Sequence, residues 1–355
     1  MLVNRRLFLE AAILAAVPAR LRAAPSVSTL IGSGSPGYSD GQVNNPYGIA
    51  AGRDGGLYFC DLDNQRIRRF DFATRRTNTV AGNGLRAYAG DGGPAAAGSL
   101  NMPHEIAFDD RGHLYIAERD NHVVRKVDGS SGVISTLAGT GVAGFSGDGG
   151  AADRAQLRQP HSIAIGPGGR LLICDIGNHR IRSVDLSSGV IETIAGTGER
   201  LPTPDGAPLK GTPLNGPRTL VVDRNATMYL ALREGNALFR IAPGTGTLHH
   251  LAGTGEQGYA GDGGPAREAK LAGPKGLALA GRSLYLADTE NHTIRRVDLA
   301  TGIIATVLGT GVRGDGPDGN PLQCKLARPH GLCAAPDGSL YVGDSEAHRI
   351  RVLRP

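Results

Sequence analysis

Three histidines stand directly after a proline, in the stretches MPHEI (102–106), QPHSI (159–163) and RPHGL (328–332). They are His104, His161 and His330. Neutral imidazoles that converge on one point bind zinc, and a set of three leaves a coordination position open for a water or a substrate. The same pattern is also expected if the histidines belong to a repeated structural unit. The residues at the corresponding positions of the other repeats help to distinguish a binding role from a structural one.

The proline is itself periodic, and the residue after it is polar in every copy. The prolines are Pro46, Pro103, Pro160, Pro217, Pro274 and Pro329, spaced 57, 57, 57, 57 and 55 residues apart. The residues that follow them are Tyr47, His104, His161, Arg218, Lys275 and His330. Six polar side chains without a carboxylate at one repeated position predict a ligand-binding site. A solvated rim of the fold is the alternative interpretation.

The segments around each proline predict four short strands per repeat. An aliphatic residue precedes each proline by three positions, and apolar residues alternate in the segments that follow, as in SIAIG, LLICD, NHRIRSVD and IETIAGTG. Glycine and aspartate turns separate these segments, and no helical period is present. Six such units at this period predict an all-β fold, a six-bladed β-propeller with blades that begin near residues 46, 103, 160, 217, 274 and 329.

The sixth unit ends after its third strand, at Arg354-Pro355, and the missing strand is predicted at the other end of the chain. The segment VSTLIGSG, residues 27–34, is expected to complete the last blade and close the ring. In a four-stranded blade the start of the innermost strand lies at one end of the channel. The six post-proline residues are therefore expected to surround the channel mouth.

Other conspicuous motifs are interpreted as structural. GTGVAG, GTGEQG and GTGVRG match GxGxxG but precede loops and strands rather than a helix, so they are turns. The acids that end the second strands and the histidines of the following turns repeat blade after blade, as turn residues do. These are Asp61, Glu118, Asp175, Asp288 and Asp344, and His122, His179, His292 and His348. The aspartates of the GDGG loops, Asp91, Asp148 and Asp262, receive the same interpretation.

Blade four departs from the repeat. Leu232 replaces the strand acid, Arg218 takes the histidine position, and GERLPTPDGAPLKG replaces the GDGG loop. A repeat that loses its consensus on one face suggests that this face binds something.

Composition and charge narrow the class of partner. The chain has 38 Lys and Arg, 33 Asp and Glu and no Trp, and its first 24 residues hold four of the basic residues and one of the acids. The remainder is nearly neutral, which disfavours nucleic acid as a partner. Cys60, Cys174, Cys324 and Cys333 show no CxxC spacing, and the last two are close enough in sequence for a disulfide in an exported protein.

Residues 1–24 resemble a twin-arginine export signal. Arg5-Arg6-Leu7-Phe8-Leu9 matches the RRxFL core, and the apolar stretch of residues 11–17 is too short to span a bilayer. The expectation is a mature chain in the periplasm or outside the cell, with no membrane span.

The repeat resembles a known family. LYLADTENHTIRRVD and LLICDIGNHRIRSVD are similar to NHL repeats, and the linkers AYAGDGGPA, GFSGDGGAA and GYAGDGGPA resemble the inter-blade loops of teneurin-type bacterial NHL propellers. The resemblance covers residues 27–355. It implies the propeller fold but not a function, because propellers perform many unrelated tasks.

Two functions remain open. The first is an exported binding or interaction scaffold that holds a small anionic ligand, a protein or a peptide at the channel mouth. The second follows from the resemblance to peptide-amidating lyases, which are six-bladed NHL-type propellers. This resemblance implies a metal-dependent lyase or hydrolase with a divalent metal such as zinc on His104, His161 and His330, and with Tyr47 or Arg218 as acid-base group or substrate clamp.

Overall fold

The computed structural model describes residues 24–355 as six antiparallel sheets arranged in a ring. The first strand of each blade contacts the first strands of both neighbouring blades, so six strands surround a central channel. No α-helix occurs in residues 24–355, where single 3₁₀ turns are the only helical segments. The predicted six-bladed β-propeller is confirmed.

The strand boundaries follow the proline period. The N-terminal strand is β1 (Ser26–Ile31). Blade one contains β2 (Pro46–Ala51), β3 (Leu57–Asp61), β4 (Arg66–Asp71) and β5 (Arg76–Ala81), and blade two contains β6 (Pro103–Phe108), β7 (Leu114–Glu118), β8 (Val123–Val127) and β9 (Ile134–Ala138). Blade three contains β10 (Pro160–Gly166), β11 (Arg170–Asp175), β12 (Arg180–Asp185) and β13 (Ile191–Ala195). Blade four contains β14 (Ala207–Pro208), β15 (Pro217–Val222), β16 (Met228–Leu232), β17 (Ala237–Ile241) and β18 (Thr247–Ala252). Blade five contains β19 (Pro274–Ala280), β20 (Ser283–Asp288), β21 (Thr293–Asp298) and β22 (Ile304–Leu308). Blade six contains β23 (Pro329–Ala334), β24 (Leu340–Asp344) and β25 (Arg349–Arg354).

The N-terminal strand closes the ring. β1 pairs antiparallel with β25, with Ser26 opposite Arg354 and Val27 opposite Leu353, and it forms the outer strand of blade six. Val27 and Ile31 point into the core and are buried. The predicted closure is therefore confirmed, with the strand at Ser26–Ile31.

The core lies between the blades. The aliphatic residue three positions before each proline has no exposed surface and packs between adjacent sheets, and these residues are Val43, Leu100, Leu157, Leu214, Leu271 and Leu326. Apolar residues from both faces of each sheet join these clusters, as the alternating strand pattern predicts.

In five of the six blades the second strand ends in an acid that is fully buried and binds to other residues of the blade. Asp175 accepts a hydrogen bond from the Arg158 backbone N–H at 2.7 Å and another from the Asn178 side chain at 2.7 Å. A buried arginine seven positions later, Arg182, lies 3.7 Å from Asp175 and donates to Asp148 of the GDGG loop at 2.7 Å. The acids are therefore structural, although their backbone donor precedes the proline rather than lying in the following turn.

Blade four replaces this ionic pair with an apolar pair. Leu232 stands in place of the acid and Phe239 in place of the arginine, and both are buried in one core cluster. A buried ion pair can be exchanged for well-packed apolar residues at little cost in stability. Packing thus explains the loss of the acid, so this change alone does not indicate a binding face. Blade four also gains the two-residue strand β14.

The turn histidines connect neighbouring blades. Nδ1 of His122 accepts a hydrogen bond from the Gln159 backbone N–H at 3.1 Å, and His292 and His348 do the same for Arg328 and Asn45. These histidines adopt positive φ, a conformation in which His and Asn are enriched. They are turn residues, as predicted.

The four cysteines are unpaired in the structure. Cys324 packs in the core between blades five and six, whereas Cys333 packs against the cluster of blade one, so they do not form the disulfide considered above. The twin-arginine segment lies outside the described residues. Within residues 24–355, no helix has the length and apolar character needed to cross a membrane.

Candidate functional site

The repeat brings the six post-proline side chains to one end of the channel. The residue before each proline has positive φ, which bends the chain as it enters the innermost strand, and these residues are Asn45, Met102, Gln159, Gly216, Gly273 and Arg328. The residue that follows the post-proline residue lies where the innermost strands of neighbouring blades approach each other closely. A Cβ at Gly331 would lie 2.0 Å from the Tyr47 carbonyl oxygen, so only glycine fits there.

Contacts join five of the six residues, and Lys275 is near enough to Arg218 and His330 to affect them electrostatically. We call the six residues the mouth cluster: Tyr47, His104, His161, Arg218, Lys275 and His330. Tyr47 stacks on His330 with ring centroids 4.0 Å apart and meets His104 edge-on at 4.5 Å. The rings of His104 and His161 are 4.4 Å apart. The spatial convergence that the repeat implied is therefore present.

The mouth cluster is buried rather than solvated. Tyr47 is half-buried, and the other five residues are between 3% and 7% exposed. This differs from the solvated rim that was the alternative interpretation. Stacking of the rings upon one another removes their faces from water, which the sequence pattern does not reveal.

Arg218 is a buried cation without a carboxylate partner among residues 24–355. Its side chain makes one polar contact, between Nη2 and Nδ1 of His104 at 3.4 Å, and its Nε has no hydrogen-bond partner in this part of the chain. Burial lowers the pKa of Arg218 to about 10, so the guanidinium stays charged at neutral pH. An unpaired buried charge is costly, and its persistence in a fold is a mark of a functional site.

Lys275 differs because it is paired. Its Nζ donates to Glu290 at 2.7 Å, and Glu290 also accepts two hydrogen bonds from Arg328. Burial lowers the pKa of Lys275 to about 8 despite the hydrogen bond to Glu290. The unpaired positive charge of the mouth cluster is therefore that of Arg218.

The three histidines of the mouth cluster are neutral. Burial, with the nearby cations, holds their pKa values well below the usual range. Nδ1 of His161 lies 2.7 Å from the Gln159 carbonyl oxygen, and Nδ1 of His330 lies 2.8 Å from that of Arg328, so both nitrogens carry the proton. His104 has the opposite tautomer, because its Nδ1 faces a guanidinium that can only donate.

These residues do not fit a catalytic metal. The Tyr47 ring lies against both His104 and His330, and His104 turns Nδ1 toward Arg218. No three His, Cys, Asp or Glu side chains within residues 24–355 are grouped closely enough to hold a metal ion. A divalent cation would also be repelled by Arg218. His104, His161 and His330 thus do not form the coordination set that the lyase resemblance implied.

Glu105, the next residue after His104, is a further residue of this region that the repeat pattern did not single out. It lines a cavity of roughly 270 Å³ inside the channel, together with Ser162 and Thr219. Burial raises the pKa of Glu105 to about 7 against the opposing effect of Arg218. The signal was available, because the equivalent positions of the other blades hold small residues: Gly48, Ser162, Thr219, Gly276 and Gly331.

Two protein-family models match parts of the chain. The NHL repeat model matches residues 100–127, 157–182 and 326–353, and the Teneurin NHL domain model matches residues 239–325. The chain therefore contains NHL repeats, and the segment from β17 of blade four to the end of blade five is similar to the Teneurin NHL domain. The resemblance described above is confirmed.

The chain is similar in sequence to parts of longer proteins and in fold to solved structures. Protein SUPPRESSOR OF QUENCHING 1, chloroplastic, of Arabidopsis thaliana is 28% identical over 80% of this chain, and human NHL repeat-containing protein 2 is 27% identical over 72%. The alignments span only 28% and 39% of those longer proteins. An auxiliary nutrient binding protein of Bacteroides ovatus superposes with a TM-score of 0.70, at 16% identity over 94% of this chain and 77% of its own.

Proposed function

Starting from a propeller built of NHL repeats, we propose that this chain is an exported binding scaffold with its ligand site at the channel mouth. The ligand is a small anion, a carboxylate or a phosphate, carried by a free molecule or by an acidic peptide terminus. The RRxFL motif at Arg5 supports export to the periplasm or beyond.

The observation that carries the proposal is the unpaired state of Arg218. This guanidinium is 3% exposed, its Nε has no partner within residues 24–355, and its neighbours are neutral imidazoles. A bound carboxylate or phosphate would supply the missing acceptors through two parallel hydrogen bonds, which the planar guanidinium favours. The surrounding protein reduces solvent screening and strengthens this attraction.

The rest of the mouth cluster fits the same ligand. Lys275 and Arg328 share the carboxylate of Glu290, so an incoming anion can compete for Lys275. The half-buried Tyr47 is the most accessible member of the mouth cluster, and its displacement would open the way to Arg218. The nutrient-binding role named for the Bacteroides ovatus structure is in keeping with a ligand site on this fold.

The metal-dependent alternative receives no support from the geometry, because the three histidines do not point to one centre. We therefore expect the purified protein to bind its anion equally well before and after treatment with a chelator.

A thermal-shift screen of simple carboxylates, phosphate and sulfate tests the proposal. Arg218→Met keeps the side-chain volume and removes the charge, so the variant should melt no lower than wild type without ligand. It should lose about 2 kcal/mol of anion binding, roughly a 30-fold weaker Kd. Arg119→Ala is the matched control, because Arg119 lies at the same end of the propeller but is paired with Asp120 at 2.6 Å. Equal anion shifts in wild type and Arg218→Met would contradict the site.

A further inference from the structure

Blade four lacks a buried guanidinium that the other five blades possess. In those blades the third strand carries a buried arginine next to the strand acid, and the arginines are Arg68, Arg125, Arg182, Arg295 and Arg351. Blade four carries Phe239 at this position. The consequences extend beyond the apolar packing of Phe239 on Leu232.

Blade three shows how the guanidinium is normally held. Nη2 of Arg182 donates to the Ser146 carbonyl oxygen at 3.0 Å and to Asp148 at 2.7 Å. The ring of Phe145 covers the guanidinium, with its centroid 4.9 Å from the central carbon. A carbonyl, a carboxylate and an aromatic ring together form the binding site for this group.

Blade four retains the acceptor residues of the loop, but Leu232 replaces the strand acid, and the groups that fill and cover the site are absent. Thr203 and Asp205 stand 57 residues after Ser146 and Asp148, whereas Pro202 replaces the covering aromatic ring. The result is a cavity of roughly 430 Å³, lined by Thr203, Asp205, Asn215, Leu232, Glu234 and Phe239. Its volume is in the range of small-molecule sites.

The residues that line the cavity carry hydrogen-bond acceptors that are only partly satisfied. Oδ1 of Asn215 and Oε2 of Glu234 are buried and have no partner within residues 24–355, whereas Oε1 of Glu234 accepts two hydrogen bonds from Arg233. Asp205 accepts the His250 backbone N–H at 2.8 Å, and its charge is paired only with Arg267, whose side chain is 57% exposed. Buried acceptors without donors indicate a ligand that brings its own N–H groups.

We propose that this cavity binds a ligand with a guanidinium group, of the kind an arginine side chain carries. The ligand places its guanidinium where the other blades place their own, against Asp205 and the Thr203 backbone. The Phe239 ring and the His250 ring, whose centroids are 5.6 Å apart, both line the cavity beside this position and are the aromatic groups that a guanidinium would meet. This site is separate from the mouth cluster and binds a charge of the opposite sign.

Nα-acetyl-L-arginine N-methylamide is the probe, because it has no carboxylate that Arg218 could bind. Isothermal titration should show binding at least ten times tighter than that of the matching citrulline compound, which has the same shape without the charge. Arg267→Ala should tighten binding several-fold, because it removes the competing surface arginine. No measurable binding, or equal binding of both compounds, would overturn the proposal.

A variant that restores the repeat provides the decisive control. Leu232→Asp combined with Phe239→Arg supplies the internal guanidinium and its acid, so the probe should no longer bind. Should this variant fail to fold, Asp205→Asn keeps the backbone hydrogen bond and should weaken binding at least tenfold. Binding that persists in a folded variant of either kind overturns the site. Arg218→Met should bind the arginine probe normally, which separates this result from the anion site.

Discussion

Arg218 and Glu105 give the channel two opposite charges that do not form an ion pair. Arg218 belongs to the mouth cluster, and Glu105 lines the cavity farther along the innermost strands. Burial raises the pKa of Glu105 to about 7, so this carboxyl is partly protonated at neutral pH. An anion beside Arg218 would raise the pKa of Glu105 further, and anion binding should therefore be accompanied by proton uptake.

Replacement of Glu105 by Gln tests this linkage. We expect Glu105→Gln to bind phosphate or a carboxylate more tightly than wild type at pH 8, because it removes a repelling charge from the channel. At pH 6, where Glu105 is mostly protonated, the two proteins should bind almost equally. Titration at both pH values in two buffers of different ionisation enthalpy measures the affinity and the proton uptake together. A wild-type affinity that equals that of the variant at pH 8 would show that Glu105 does not sense the anion.

The sequence predicted which six residues lie together at the channel mouth, but it did not predict the contacts that their side chains make. The proline period was sufficient to place Tyr47, His104 and Arg218 at one end of the channel. It could not show that the Tyr47 ring packs against both His104 and His330 or that Glu290 pairs with Lys275. Those contacts depend on side-chain rotamers and on residues from neighbouring blades.

The turns after the second strands act as links between blades. At five of the six boundaries, a side chain in this turn accepts the backbone N–H of the residue before the next blade's proline, and the acceptors are Gln65, His122, Asn236, His292 and His348. Nδ1 of His179, at the boundary between blades three and four, is buried without a partner in residues 24–355. Each histidine must be neutral to accept this hydrogen bond, so these hydrogen bonds between blades depend on pH.

Stability should fall in acid as the linking histidines become protonated. Burial holds the pKa values of His122, His292 and His348 below the usual value of about 6.5. Their contribution is therefore complete above pH 6.5 and is lost as the pH falls through the folded-state pKa values. A triple variant with His122→Asn, His292→Asn and His348→Asn keeps the acceptors, as Asn236 does naturally, and removes the titration.

Urea unfolding between pH 7 and pH 5 measures the effect. The free energy of unfolding should drop more steeply in wild type than in the triple variant, because the other titrating groups are common to both proteins. A triple alanine variant should lose about 1 kcal/mol per link already at pH 7. Parallel pH profiles for wild type and the asparagine variant would contradict the role of the imidazoles.

The pairing of acid and arginine within a blade was also present in the sequence at a fixed spacing. The arginine follows the acid by seven positions in five blades, as with Asp175 and Arg182. Because blade four changes both members together, Leu232 and Phe239 reflect coordinated packing. The cavity beside them was not predictable, since it depends on the path of the loop around Thr203.

At the scale of the whole molecule, one hydrogen-bonded strand closes the ring. β1 covers β25, buries Val27 and Ile31, and completes blade six with the last strand of the described residues. This closure was fully predictable, because the repeat count leaves one strand missing at the C-terminus and one extra at the N-terminus. An unclosed propeller would expose β25 as an edge.

Removal of β1 should therefore destabilise the entire propeller. A protein that begins at residue 33 loses two buried aliphatic side chains and should lose at least about 3 kcal/mol of unfolding free energy. It should also aggregate on heating through the exposed edge of β25. A protein that begins at residue 24 is the control and should melt as the longer chain does. Equal melting temperatures for the two truncated proteins would show that the strand does not secure the ring.

The most direct test of the central claim is to locate an anion in crystals. Selenate resembles sulfate and phosphate in shape, and its anomalous scattering identifies it without ambiguity. In crystals of the wild-type protein soaked in selenate, we predict an anomalous peak within hydrogen-bond distance of the Arg218 guanidinium and no such peak in Arg218→Met. An empty channel mouth in the wild-type crystals, with selenate bound elsewhere and the same anion-induced thermal shift in both proteins, would contradict the assignment.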